Sequence, residues 1–150
     1  MGLLKLSVLM VRVLNDPVAT ANQLRPVVLR LARELRREIH SLGVTGGQVS
    51  LLVAIKNEPG ITAGELAERE RVSAPGMSGH LVRLEAANLI ERRRATDRRR
   101  IELFLTSEGD KVLKSVRKKR TAWLASRLER LTDDERDRIE SAVDALAKLL

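Results

Sequence analysis

Asn88-Leu-Ile-Glu-Arg-Arg-Arg-Ala-Thr-Asp-Arg-Arg-Arg-Ile-Glu-Leu-Phe-Leu-Thr-Ser-Glu-Gly109 is where the hydrophobic period of this 150-residue chain changes from helical to alternating. Leu89–Arg94 reads as one strand and Arg100–Leu105 as a second, with Ile101, Leu103 and Leu105 on one face. Ala95–Arg99 between them is a charged hairpin tip, and residues 91–100 hold six arginines against two acids. A tip of that composition belongs in solvent. Thr106-Ser-Glu-Gly109 then opens a long helix.

On the N-terminal side lie two short helices. Ser73 is a side-chain cap for a helix running to about Ala87, with Met77, Leu81 and Leu84 facing inward and Ser78, Gly79, Val82 and Arg83 on the other face. Pro75 falls in its first turns. Before it, Thr62 and Glu65 form a capping box for a helix ending near Arg71, and Thr45 with Gln48 forms another for Val49–Ile55, which Pro59-Gly60 stops. Earlier still, Leu24, Val27, Val28, Leu31, Leu35 and Ile39 recur at helical spacing, predicting an amphipathic helix over Thr20–Ser41 with Pro26 near its start. On the C-terminal side, the helix opened at Thr106 runs through Val112, Val116, Trp123, Leu124, Leu128 and Leu131. Thr132 and Glu135 cap a last helix carrying Ile139, Val143, Leu146 and Leu149. Two short helices followed by a hairpin make a winged helix-turn-helix. The expected fold is therefore mainly α with a small two-stranded β wing. Its parts are an N-terminal extension (1–19), a helical region from 20–45 and 107–150, and a winged helix-turn-helix region over 46–106.

Composition narrows the function. The net charge is +8, and residues 73–120 carry 13 Lys/Arg against 6 Asp/Glu, so nearly all the excess lies in the middle third and points to a polyanionic partner. With no cysteine there is no disulfide, thiolate metal site or thiol redox chemistry. His40 and His80 are too few and too far apart for a histidine metal site, and no cofactor motif is present. Trp123 and Phe104 are the only aromatic residues, so aliphatic side chains must fill the core. Gly2–Leu14 is apolar but is interrupted by Lys5 and Arg12 and is too short to span a bilayer, which suggests a cytoplasmic protein with no membrane partner. An enzyme is the least expected class. There is no Cys or Tyr nucleophile, no paired His and no phosphate-cradling glycine motif.

In a helix-turn-helix the second helix lies in the major groove, here residues 73–87. Ser73, Ser78 and Arg83 can reach phosphates or bases, and Gly76 and Gly79 allow close backbone approach. His80, next to the inward positions, reads as structural. The wing suits a minor groove, which is narrow and strongly negative and accepts arginine on a thin loop. Asp97 reads as the partner that fixes a neighbouring arginine's direction.

Asp97-Arg98-Arg99-Arg100, the alternating strand after it and Leu105-Thr-Ser-Glu-Gly109 together resemble the wing signature of the MarR family of bacterial regulators. Leu66-Ala67, Val72-Ser73, Met77-Ser78, Arg83-Leu84-Glu85 and Asn88-Leu89-Ile90 are similar to that family's helix-turn-helix, and the match covers roughly residues 20–150. The resemblance implies a homodimer in which the first helix and the last two interleave, each lobe entering one side of a pseudo-palindrome in double-stranded DNA. It implies that Arg99 is the minor-groove arginine, Asp97 its orienting partner and Ser78 the recognition-helix hydroxyl. Arg92, Arg93, Arg94, Arg98 and Arg100 then become phosphate contacts, Pro75 a recognition-helix residue, and binding steeply salt-dependent. One departure stands out: Gly79 replaces the Arg or polar side chain that often follows that hydroxyl, which leaves more of the reading to the wing, Arg83 and DNA shape. Many relatives release DNA when a small, often aromatic or anionic, molecule binds. Nothing in these residues identifies such an effector or its pocket, and Trp123 reads as core. The expected function is a sequence-specific repressor. The alternatives are a basic nucleic-acid-binding or architectural protein without strong sequence preference, and an interaction protein that has lost DNA binding.

Overall fold

The computed structural model describes residues 16–96 and 99–150. They form six α-helices and one hairpin: α1 (Pro17–Arg37), α2 (Gly46–Asn57), α3 (Ala63–Glu70), α4 (Ala74–Ala86), β1 (Ile90–Arg94), β2 (Ile101–Leu105), α5 (Ser107–Leu128) and α6 (Asp133–Ala147). The mainly α fold with a two-stranded wing is as the sequence predicted. The N-terminal extension read over residues 1–19 lies mostly outside the described residues.

The chain divides after Arg37 into two compact units. The first holds α1, which starts earlier than the periodicity indicated because Asp16 caps it: its carboxylate accepts from the Val18 N–H (3.1 Å) and the Ala19 N–H (3.3 Å), with Pro17 in the first position. Pro26 therefore sits well inside the helix, not near its start. The helix also stops sooner, at Arg37, and a 3-10 turn over His40–Leu42 follows, closed by Gly43 at φ 73°. Only a left-handed residue continues the chain there, and glycine takes that conformation at no steric cost.

In the second unit Ser and Thr set the helix starts. Thr45, Thr62 and Thr132 form complete capping boxes with Gln48, Glu65 and Glu135, while Ser73 and Thr106 each accept one backbone N–H. One aliphatic core fills the space between α2, α3, α4, the hairpin and α5. Ile39, Leu52, Ile55, Leu66, Leu81, Leu84 and Leu103 are all fully buried in it. Neither aromatic residue belongs to it: Phe104 and Trp123 are half-buried. The Trp123 face carries the Arg127 guanidinium 4.4 Å from its ring centroid. The long helix ends at Leu128, three residues before the reach first expected, and α6 has no buried residue at all.

The hairpin is antiparallel, with Ile90 opposite Leu105, Arg92 opposite Leu103 and Arg94 opposite Ile101. Leu103 is buried and Leu105 packs on the core, but Ile101 at the outer end is 46% exposed, beyond the reach of the core its alternation pointed to. The chain before α3 holds the hairpin's base: the Gly60 N–H donates to the Leu103 carbonyl (2.9 Å), and the Leu103 N–H donates to the Ile61 carbonyl (3.0 Å). These bonds tie the wing to the helix-turn-helix at its root.

No helix among the described residues is long and apolar enough to cross a membrane.

Candidate nucleic-acid interface

Helix α4 buries Met77, Leu81 and Leu84 and presents Pro75, Ser78, Gly79, Val82 and Arg83 to solvent. The side facing away from the core is thus the side that a groove would meet. Ser73 ends the turn after α3, and its hydroxyl accepts from the Gly76 N–H at 3.3 Å. That cap, and not groove access, accounts for Gly76: a Cβ there would stand 3.1 Å from Ser73 Oγ and 3.2 Å from Val72 Cγ1. A Cβ at Gly79 would meet nothing within 4 Å, so of the two glycines of α4 it is Gly79 whose missing side chain leaves room for an outside partner. Arg83 and His80 touch, with Arg83 Nη2 3.3 Å from His80 Nδ1, and His80 is half-buried.

The wing arginines differ in their surroundings. Arg92 Nε donates to Glu85 on α4 at 2.9 Å, linking strand to helix. Arg93 pairs with Glu91, and its guanidinium stacks 4.5 Å from the Phe104 ring centroid. Arg100 reaches back to Glu65 of α3, Nη2 lying 3.1 and 3.2 Å from the two carboxylate oxygens. Glu65 is itself fixed by the Thr62 N–H (2.8 Å) and hydroxyl (2.8 Å), and those bonds, with the Arg100 charge after them, hold its carboxyl below the usual range. Arg94 and Arg99 are exposed on the outer part of the hairpin. Asp97 and Arg98, assigned at the tip as orienting acid and phosphate contact, lie outside the described residues.

The structure therefore places Ser78, Gly79 and Arg83 on the exposed side of α4 with Ser73 as its N-cap, and roots the wing beside it through Arg92–Glu85 and Arg100–Glu65. Sequence reading did not find the two carboxylates: Glu65 is 35 residues from its arginine, and no local pattern encodes such a pair. It also missed a cleft of about 460 Å³ whose walls are Val49, Val53, Leu113, Val116 and Leu124, with Lys56, Lys114, Arg117 and Arg120 among them. The helical spacing of Lys114, Arg117 and Thr121 was the available signal for it. At its edge Asp110 takes Lys114 at 2.8 Å and Lys56 at 2.5 Å, and these two ammonium groups bring its carboxyl down to about 2. Among the described residues no group of three or more metal-binding side chains converges.

Comparison with known proteins points the same way. The MarR family profile matches residues 42–100. An HTH-type transcriptional regulator of Mycobacterium tuberculosis (strain CDC 1551 / Oshkosh) is 34% identical over 91% of this chain and 96% of its own length. The HTH-type transcriptional repressor MdtR of Bacillus subtilis (strain 168) is 34% identical over 75% of this chain and 73% of its own. Among solved structures, a candidate transcriptional regulator from Pseudomonas aeruginosa PA01 superposes with a TM-score of 0.78 at 31% identity, covering 90% of this chain and 96% of that one.

Proposed function

The chain belongs to the MarR family of transcriptional regulators, and from that premise we propose that it is a homodimeric repressor that reads a pseudo-palindromic DNA operator and lets it go when a small anionic molecule binds. The observation that carries the reading is the juxtaposition of the exposed α4 face with an arginine-rich wing rooted beside it. α4 enters the major groove, with Ser78 and Arg83 meeting phosphates or base edges. Arg99, oriented by Asp97, enters the adjacent minor groove, and Arg94, Arg98 and the outer guanidinium edges of Arg92 and Arg100 meet phosphates. Arg92 and Arg100 keep their carboxylate partners while doing so, since a guanidinium has five donors and each pair uses at most two of them. That MdtR is termed a repressor supports the sign of regulation.

The effector's seat in this reading is the cleft between α2 and α5. Its volume falls in the range of small-molecule sites, its walls are aliphatic, and its four cations suit a carboxylate or phenolate on an apolar body. Lys56 and Lys114 already pair with Asp110, and Arg117 on the same wall is the group to bind the anion.

Fluorescence anisotropy on the DNA upstream of the protein's own gene, at about 150 mM salt with excess nonspecific competitor, tests the reading. Tight, competitor-resistant binding that weakens in Arg99→Ala is the expected result. The room at Gly79 and the short list of polar groups on α4 favour one rival, a basic protein that coats DNA without reading it. That rival is established if competitor removes binding to every duplex tried.

A further inference from the structure

Few hydrogen-bonding groups are available on α4. From Ser73 to Ala87 there is no Asn, Gln or Lys, Glu85 is taken by Arg92, and Arg83 is the one arginine. Adenine is normally read by a bidentate amide and cytosine by a carboxylate acceptor, and this face offers neither. What it offers at its centre is apolar. Helical spacing sets Pro75, Gly79 and Val82 opposite the buried Met77, Leu81 and Leu84, and Val82 is 56% exposed. A branched residue out in solvent costs helix propensity and gains nothing from the core. Gly79, one turn earlier, has open space over it, so no side chain there holds this part of the helix away from a groove.

We propose that Val82 is a specificity-determining residue that reads thymine through its C5-methyl group. Thymine is the one base whose major-groove edge carries an apolar handle, and a side chain without donors or acceptors distinguishes it from the other three. The inference rests on the DNA-reading function proposed above and assigns one of the bases read.

The test starts from a random-sequence duplex pool enriched on the full-length protein. Each thymine of the enriched duplex is then replaced singly by deoxyuridine, which lacks only the methyl. Affinities are measured for the wild type, Val82→Ser and Val82→Thr, and the outward position of Val82 leaves the core intact in both variants. For the wild type, deoxyuridine at one position in each half-site is expected to weaken binding roughly fourfold, the equivalent of about 0.8 kcal/mol for one CH₂-sized group. Val82→Ser abolishes that penalty, and Val82→Thr, which keeps one γ-methyl, retains part of it. An enriched duplex indifferent to every deoxyuridine, or a penalty unchanged in Val82→Ser, overturns the inference and leaves the DNA-reading function standing. A pool that yields no enriched sequence overturns both.

Discussion

A methyl group on Gly109 would stand 2.2 Å from the Leu89 carbonyl oxygen and 2.6 Å from Leu105 Cδ1, so the first turn of α5 can lie against the base of the wing only if this residue has no side chain. One of the two obstacles is backbone and cannot swing aside. Gly109→Ala should therefore destabilise the fold by about 1–3 kcal/mol, read from urea denaturation. The neighbouring Asp110 gives a pH signature. Its carboxyl is held at about 2 by Lys114 and Lys56, below its ordinary value of 3.8. The contribution of this cluster is complete above about pH 4 and is lost as the pH falls towards 2. Asp110→Asn should flatten that part of the acid branch of a stability-versus-pH curve; Glu65 and Glu135, also lowered by their capping bonds, leave a residual slope.

At the scale of elements, the threonines and serines that start the helices are the main local determinants. Thr62 does two things: its N–H and hydroxyl hold Glu65, and Glu65 holds Arg100 at the wing's root. Thr62→Ala should cost about 1 kcal/mol as a lost cap. Combined with Arg100→Gln, it should cost less than the two changes summed, because both act on one carboxylate; a double-mutant cycle in urea checks this. The same distinction between local and distant partners explains what could be read from sequence. The starts of α2, α3, α4, α5 and α6 were legible because each cap and its partner lie within three residues. The start of α1 lies earlier than the apolar spacing from Thr20 indicates because Asp16-Pro17, a cap followed by a first-turn proline, sets it. The buried face of α4 and the existence of the two strands followed from their 3.6 and 2.0 periods, whereas the cross-strand register and the exposure of Ile101 did not. Arg92–Glu85 and Arg100–Glu65 depend on how elements pack, and hydrophobic spacing carries no information on which exposed charges will meet.

At the scale of the whole molecule, each of the two units exposes apolar side chains among the described residues. On α1, Val27, Val28, Leu29 and Leu31 are 55%, 46%, 56% and 41% exposed; on α6, Ile139, Val143 and Leu146 are 44%, 54% and 41%. A chain this highly charged has polar residues enough to cover those faces, so the side chains call for a partner, which the proposed function identifies as a second copy. Val143→Glu should shift the protein towards monomer in sedimentation equilibrium and weaken operator binding together with it. The dimer, the major-groove helix and the minor-groove wing meet in a single measurement: hydroxyl-radical footprinting of the wild type on an enriched duplex. Two protected half-sites are expected, their centres on one face of the DNA and separated by a whole number of helical turns (about 10 bp each), with minor-groove protection beside each that Arg99→Ala removes. Continuous, unphased protection that Arg99→Ala leaves unchanged would contradict the proposed function.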